Sequence, residues 1–209
     1  MTIKICKVKG CNQKFYAKEY CKRHYDQMRK HGKILNRTIY DPNEFVIKND
    51  ICRIKLYDRE GNKKIETIID TEDYEKVKGI KWYLGDGKYV IHSRYKKASL
   101  KLHRTILELS ENDNSIIDHI DGNPLNNKKS NLRICTSQQN TFNQKKRINN
   151  TSGFKGIFWN KIESKWESRI GVNCKRIFLG HFKNKIDAVK SYNEAASKYH
   201  GEFARLNDI

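Results

Sequence analysis

Asp118-His119-Ile120-Asp121-Gly122-Asn123-Pro124-Leu125-Asn126-Asn127 is followed by Asn131-Leu132-Arg133-Ile134-Cys135-Thr136 and then by Ser137-Gln138-Gln139-Asn140-Thr141-Phe142-Asn143. Ile116-Ile117 forms a short apolar strand leading into Asp118 and His119. The Asp-Gly-Asn-Pro run is rich in turn formers and predicts an irregular loop. Leu132 to Cys135 predicts a second strand, and Thr136 or Ser137 caps a helix carrying Asn140 on its first turn. Two strands and a helix folded round a metal are what such a sequence builds. Asp118 and His119 set a carboxylate beside an imidazole, and Asn131 and Asn140 follow 12 and 21 residues beyond the histidine. A hard metal ion takes oxygen ligands, and a water attacking a phosphodiester needs a neutral imidazole as general base. A calcium loop fits less well, because the acidic residues fall out of step and no Glu stands at the twelfth position. An ordinary Asx-rich turn leaves the spacing of Asn131 and Asn140 unexplained.

Outward from this stretch, the 209 residues divide by charge. Residues 1–39 are net +9, residues 40–143 net +2 and residues 144–209 net +8, within a total of +19. A nearly neutral centre between two basic ends points to a chemistry module held by two polyanion-binding arms rather than to lysines that only confer solubility. No apolar stretch approaches the ~20 residues of a membrane span, and the amino terminus lacks the apolar core of a signal peptide. The expectation is an intracellular, cytoplasmic protein (in the host cell if phage-encoded), with its six cysteines reduced or metal-bound.

Residues 40–100 read as a β-rich scaffold without a chemical signature. Strand-like alternation runs through residues 45–69 with a turn at Glu60-Gly61-Asn62, Asp70 or Thr71 caps a short helix to about Lys78, and residues 82–84, 89–95 and 100–103 read as strands. Lys96 and Lys97 sit at a hairpin tip that is either solvated or grazes a polyanion.

Cys6, Cys11, Cys21 and His24 give a Cys-x4-Cys-x9-Cys-x2-His pattern. A helix expected over Ala17 to Lys30 sets Cys21 and His24 one turn apart, and Gly32 ends it. Four N and S ligands from short loops make a closed, structural zinc site, and a segment this small rarely folds without a metal or a larger partner. Such segments resemble the small zinc fingers that precede phage nuclease domains.

After a basic polar linker at residues 144–152, Phe154 to Trp159, Lys165 to Ile170 and Arg176 to Phe182 read as three short strands. Asn184 caps a helix with Asp187 in capping-box fashion, Ile186, Val189, Tyr192, Ala195, Ala196 and Tyr199 line one apolar face, and Gly201 stops it. Cys174 falls in a turn.

Residues 101–143, from Leu102-His103-Arg104 through Asn143, resemble the HNH endonuclease family with its ββα-metal fold, in the variant typical of phage and intron homing endonucleases. The resemblance implies His119 as general base, Asp118 and Asn140 as holders of one divalent metal, and Asn131 as the residue that pins the loop between the strands. The third named position is Asn rather than His, a neutral oxygen ligand suited to Mg²⁺ (or Mn²⁺). It implies one-metal hydrolysis, in which the metal neutralises charge on a non-bridging oxygen and on the 3′ leaving oxygen. Arg104 is a candidate phosphate clamp, and His103 either assists or packs.

The stretch from Ser152 to Asn207 resembles the AP2 DNA-binding domain through Leu-Gly-x-Phe at 179–182, the Ala-rich helix and the final Leu206-Asn207. The implied contact positions are Lys155, Lys165, Trp166, Arg169, Lys175 and Arg176. Phe158-Trp159-Asn160 stands where plant members carry arginines, so base specificity does not transfer, and Trp166 and Phe178 fit the sheet core equally well.

The combined expectation is an α+β chain: zinc finger (1–39), scaffold (40–100), HNH motif (101–143), linker (144–152) and AP2-like domain (153–209). The expected function is a site-preferring endonuclease acting on double-stranded DNA, working as a monomer without an obligatory protein partner. The alternative is a catalytically inactive DNA-binding regulator. An RNA-directed protein fits the charge but not the groove-reading sheet.

Overall fold

The computed structural model describes residues 4–209 except 36, 38–40, 59–60, 86–87 and 95–96, and Lys97 by its backbone alone. Glu60 of the expected turn and Lys96 of the hairpin tip lie outside the described residues, as does the Lys97 side chain.

Cys21 is the N-cap of α1 (Lys22–His31), and Gly32 ends the helix in the left-handed conformation, its N–H donating to the Met28 carbonyl. The helix begins at Lys22 rather than at Ala17. Lys18 and Glu19 have φ of 45° and 66°, and Ala17 and Tyr20 form an isolated antiparallel bridge, so these residues make a tight turn that a right-handed helix cannot traverse.

Strands β1 (Glu44–Lys48), β2 (Ile51–Tyr57) and β3 (Lys63–Asp70) form an antiparallel sheet in that order. Period-two alternation buries Cys52, Ile54 and Leu56 on one face of β2 and exposes Arg53 on the other. The helix expected after Asp70 is split into a 3-10 turn (Thr71–Asp73) and α2 (Tyr74–Val77). Asp70 does not cap it with its side chain; its carboxylate instead accepts from the Lys129 N–H at 2.8 Å.

A second sheet comprises β4 (Tyr83–Leu84), β5 (Val90–Arg94) and β6 (Lys97–Lys101). The strand expected over residues 100–103 stops at Lys101, and His103 lies in α3 (Leu102–Ile106). Leu102 and Ile106, four apart, are both buried, and helical spacing is what brings both into the core.

Strands β7 (Ile116–His119) and β8 (Leu132–Cys135) pair antiparallel, with Asp118 opposite Arg133 and His119 opposite Leu132. Helix α4 (Ser137–Asn143) follows, its first turn closed by a capping box between Thr136 and Gln139. This hairpin is not free-standing: one apolar core takes Cys52, Ile54, Leu56, Ile69, Val77, Trp82, Val90, Leu102, Ile106, Ile117 and Leu132. The β7–β8 connection is laid along β3. Ile68 N–H donates to the Leu125 carbonyl at 2.9 Å, Asn127 N–H to the Ile68 carbonyl at 2.8 Å, and Thr67 Oγ1 to the Leu125 carbonyl at 2.8 Å.

Beyond it, β9 (Ile157–Asn160), β10 (Lys165–Val172) and β11 (Lys175–Phe182) form an antiparallel sheet ordered β11-β10-β9. Helix α5 (Lys185–His200) covers one face, burying Ala188, Val189, Tyr192, Ala195 and Ala196 against Ile157 and Ile170. Strand β9 begins after Phe154 because Gly153 and Gly156 both have positive φ. A Cβ on Gly156 would lie 2.2 Å from the Tyr192 ring, so only glycine lets the helix close on this turn. Asn184 caps α5 through the Ile186 N–H, not through the Asp187 N–H that a capping box uses. Among the described residues, no helix is long and apolar enough to cross a membrane.

Candidate active site

Asp118, near the end of β7, is buried, and its carboxylate is held from two directions. From β8, Arg133 donates through Nε at 2.9 Å and Nη2 at 2.7 Å, both to Oδ2. From the end of α4, Asn143 Nδ2 lies 3.0 Å from each carboxylate oxygen, 2.9 Å from the His119 carbonyl and 3.1 Å from the Ile120 carbonyl. Among the described residues, Oδ1 therefore faces one protein donor where Oδ2 has three.

His119 is buried, with Nε2 3.4 Å from Asn127 Oδ1. Asn127 is itself fixed, its Nδ2 donating to Thr67 Oγ1 at 2.9 Å and to the Pro124 carbonyl at 3.2 Å. Its Oδ1 can only accept, so the contact places the imidazole proton on Nε2 and leaves the Nδ1 lone pair available. Burial pushes the pKa of His119 below the ordinary histidine value, which the nearby Asn127, Asp121 and Asp118 partly offset. The ring is neutral at pH 7, the state a general base requires.

His103 stands edge-on to His119 with ring centres 5.3 Å apart, and Tyr89 lies 5.3 Å from His103 and 6.1 Å from His119. Burial, then the adjacent His119, Lys101 and Arg104, lower the His103 pKa to about 3. His103 thus stays neutral in the folded protein but takes up a proton near pH 6.5 once unfolded. Because the unfolded chain binds more protons below that pH, stability is complete above it and falls on acidification towards pH 3. Urea unfolding at pH 5 should give a free energy about 2 kcal/mol below that at pH 7 from this group, at ~1.4 kcal/mol per pH unit. A His103→Phe variant should lose that part of the pH dependence.

Asn131 closes the loop on itself. Its Oδ1 accepts from the Asp121 N–H at 3.0 Å, its Nδ2 donates to Asp121 Oδ1 at 3.0 Å and to the Asn126 carbonyl at 2.8 Å, and its carbonyl accepts from the Ile120 N–H at 2.9 Å. Burial pushes the Asp121 carboxyl up, but hydrogen bonds from Asn126, Asn123 and Asn131 outweigh it and hold the group below its usual range.

Asp118, His119 and Asn140 line one cleft of about 350 Å³, together with Asn143, Gly122, Tyr89, Lys88 and Lys145. Gly122 has φ of 68°, and a Cβ there would meet the Arg205 guanidinium at 2.9 Å and Lys145 at 3.3 Å. A carboxylate and an amide opening on one cleft form a hard oxygen donor set that fits a divalent ion.

Arg104 is turned elsewhere: its guanidinium donates to the carbonyls of Ser115, Ser110 and Asp113, closing the connection between α3 and β7. Lys155 is also drawn inward. Its Nζ donates to the Phe142 and Gln144 carbonyls at the end of α4, and burial lowers its pKa to about 8. Lys165, Arg169 and Arg176 share the face of the carboxy-terminal sheet turned away from α5, where Phe158 and Phe178 are about half exposed. Arg169 is ion-paired to the buried Glu167. Trp166 packs against the sheet core with Lys185 over its ring at 4.8 Å, whereas Phe178 does not join it. Lys175 is exposed at the β10–β11 turn, where Cys174 has φ of 60°.

At the amino terminus the ligand atoms of Cys6, Cys11, Cys21 and His24 lie within 4.8 Å of one another. Cys6 Sγ and Cys21 Sγ are 3.2 and 3.5 Å from His24 Nδ1, and the Cys11 and Cys21 sulfurs are 4.0 Å apart. A tetrahedron with Zn–S of ~2.3 Å has edges of roughly 3.8 Å, so the cluster is compatible with zinc.

Arg133 and Asn143 were not singled out from sequence. Asn143 lies one turn beyond Asn140, which puts the two on one helix face, and Arg133 faces Asp118 once the hairpin register is known.

The hairpin, its loop and the following helix define the class: the chain belongs to the HNH endonuclease family and is a nuclease. The family model described as HNH endonuclease matches residues 100–142. An uncharacterized HNH endonuclease of Acanthamoeba polyphaga mimivirus is 30% identical over 186 residues, covering 87% of this chain and 94% of the relative. Protein 3.8 of Escherichia phage T7 is 36% identical over 92 residues, 43% of this chain and 74% of that protein. No solved structure matches the chain.

Proposed function

We propose that this nuclease cuts or nicks duplex DNA at a preferred site, with His119 as general base and with Asp118 and Asn140 holding one divalent ion, Mg²⁺ or Mn²⁺. The observation that carries the reading is the convergence of Asp118, His119 and Asn140 on one cleft. His119 Nδ1 takes the proton of the attacking water while Asn127 keeps Nε2 protonated. Asn131 holds the loop closed so that the two catalytic side chains keep their places. Bound in the cleft, the ion supplies charge neutralisation on the phosphate and the leaving oxygen. The products carry a 5′ phosphate and a 3′ hydroxyl.

In this reading the amino-terminal Cys3His cluster is a structural zinc finger, residues 40–100 are scaffold and residues 101–143 the ββα-metal motif. Residues 153–209 are an AP2-like domain whose sheet lies in a DNA groove with Lys165, Arg169, Lys175 and Arg176 against it. One centre per chain suits nicking by a monomer. The intact set of Asp118, His119 and Asn140 lining one cleft favours this over the alternative of an inactive DNA-binding regulator, which has no need of a base.

Lys88 and Lys145 line the same cleft, and in this reading they meet phosphates of the bound duplex. Replacing both by alanine should make log affinity fall less steeply with log salt, by about 0.9 for each phosphate no longer neutralised. The substrate class is tested by offering labelled duplex DNA, single-stranded DNA and RNA in Mg²⁺ and analysing the new ends. Duplex DNA should be cut to 5′-phosphorylated ends; hydrolysis of RNA with duplex DNA left intact would refute the proposal.

A further inference from the structure

We propose that Arg133 is a positioning residue for Asp118 and that the carboxy-terminal segment at Glu202–Phe203 holds Arg133 in place, so that docking of the sheet unit sets how tightly the nuclease centre takes its divalent ion. The inference rests on the reading of Asp118 as a metal ligand.

One guanidinium bridges the two halves of the molecule. Its Nε and Nη2 donate to Asp118 Oδ2, while Nη1 donates to the Glu202 carbonyl at 2.7 Å and the guanidinium carbon lies 4.0 Å over the Phe203 ring. Both partners of the ion pair are shielded, with side-chain exposures of 13% for Arg133 and 6% for Asp118. Arginine's planar fork suits this: one edge fixes a carboxylate, the remaining nitrogen reaches a carbonyl, and the face stacks on an aromatic ring. Because both donors go to Oδ2, the carboxylate is pinned in one rotation with Oδ1 the less encumbered oxygen.

The neighbours of Arg133 are arranged the same way. Phe142 of α4 stacks on His200 at the end of α5, ring centres 3.6 Å apart and planes 10° from parallel. Lys155 Nζ takes the last carbonyls of α4, and Arg205 Nη1 donates to the Asp121 carbonyl at 3.1 Å. The hairpin, its loop and the helix that bears Asn140 are thus each held by residues that follow the HNH motif in sequence. Outer partners that orient a ligand typically change metal affinity by 10–100-fold when removed.

The test is titration of the full-length, zinc-loaded protein with Mn²⁺ by calorimetry without DNA, using Asp118→Ala to identify the heat belonging to this centre. Phe203→Leu keeps the bulk and removes the ring face, and should raise the Mn²⁺ Kd about two- to fivefold. Phe203→Tyr should restore the wild-type value. Arg133→Gln should raise Kd by about 10–100-fold, with Arg133→Lys in between. Losing a positive charge would by itself favour a cation, so a weaker site in Arg133→Gln reports lost orientation. Duplex DNA affinity of the zinc-loaded protein, measured without added Mg²⁺ or Mn²⁺, should stay at the wild-type level in the Phe203 and Arg133 variants. Unchanged Mn²⁺ binding in Phe203→Leu and Arg133→Gln, or an equal loss of DNA affinity, would overturn the inference alone. Wild-type Mn²⁺ binding by Asp118→Ala would overturn the reading of the centre and the inference with it.

Discussion

Replacing His119 by alanine is expected to slow duplex cleavage by about 10²–10⁴-fold, the usual contribution of a positioned general base, while leaving DNA affinity unchanged. The reason lies in how the ring is held. It is buried, its pKa is lowered so that it is neutral at pH 7, and Asn127 is anchored by Thr67 and Pro124 so that it can only accept from Nε2. None of the sheet cations at Lys165, Lys175 or Arg176 depends on that ring, so binding and chemistry should separate. Single-turnover cleavage of a labelled duplex alongside equilibrium binding by the zinc-loaded protein without added Mg²⁺ measures both quantities. A variant that cuts at the wild-type rate would remove His119 from the mechanism.

Removing zinc is expected to unfold the amino-terminal segment while leaving the central core folded. In this segment only Cys6, Cys21, Gln27 and Leu35 are buried among the described residues, whereas Ile5, Phe15 and Tyr16 are exposed. So little apolar burial cannot offset the entropy of ordering about thirty residues, at ~1–2 kcal/mol each for the backbone. Structural zinc supplies ~10–16 kcal/mol in small fingers, which is enough to decide the matter. The central core draws its buried side chains from Cys52 onwards, so it does not rest on the finger. Chelation, or Cys21→Ser, should therefore abolish amide-exchange protection in α1 and spare β2, β3 and α3. Protection that persists in α1 with no zinc by elemental analysis would show that another force holds this segment.

Much of the site was written locally in the chain. Turn formers between two short apolar runs placed the β7–β8 loop, and Thr136 or Ser137 as a cap marked the start of α4. What was hidden depends on elements packing together. Arg133 becomes visible only through the hairpin register that sets it against Asp118 and through the fold that brings Phe203 to its face. Lys155 reads as one more basic residue beside a DNA-binding sheet, yet docking buries its ammonium under α4. Around His103, Leu100 and Leu102 alternate like a strand, and only the burial of Ile106 beside Leu102 shows that the helical period wins. At Ala17, the helical pattern lost to a tight turn that brings the first cysteines towards Cys21.

The most direct test of the central claim is incubation of purified, zinc-loaded protein with supercoiled plasmids, one bearing DNA of the source genome, with Mg²⁺ and without added divalent ion. The account predicts open-circular or linear product only when the divalent ion is present, at a reproducible position in the DNA. Plasmids that stay supercoiled under all conditions, or are cut equally without added divalent ion, would contradict it.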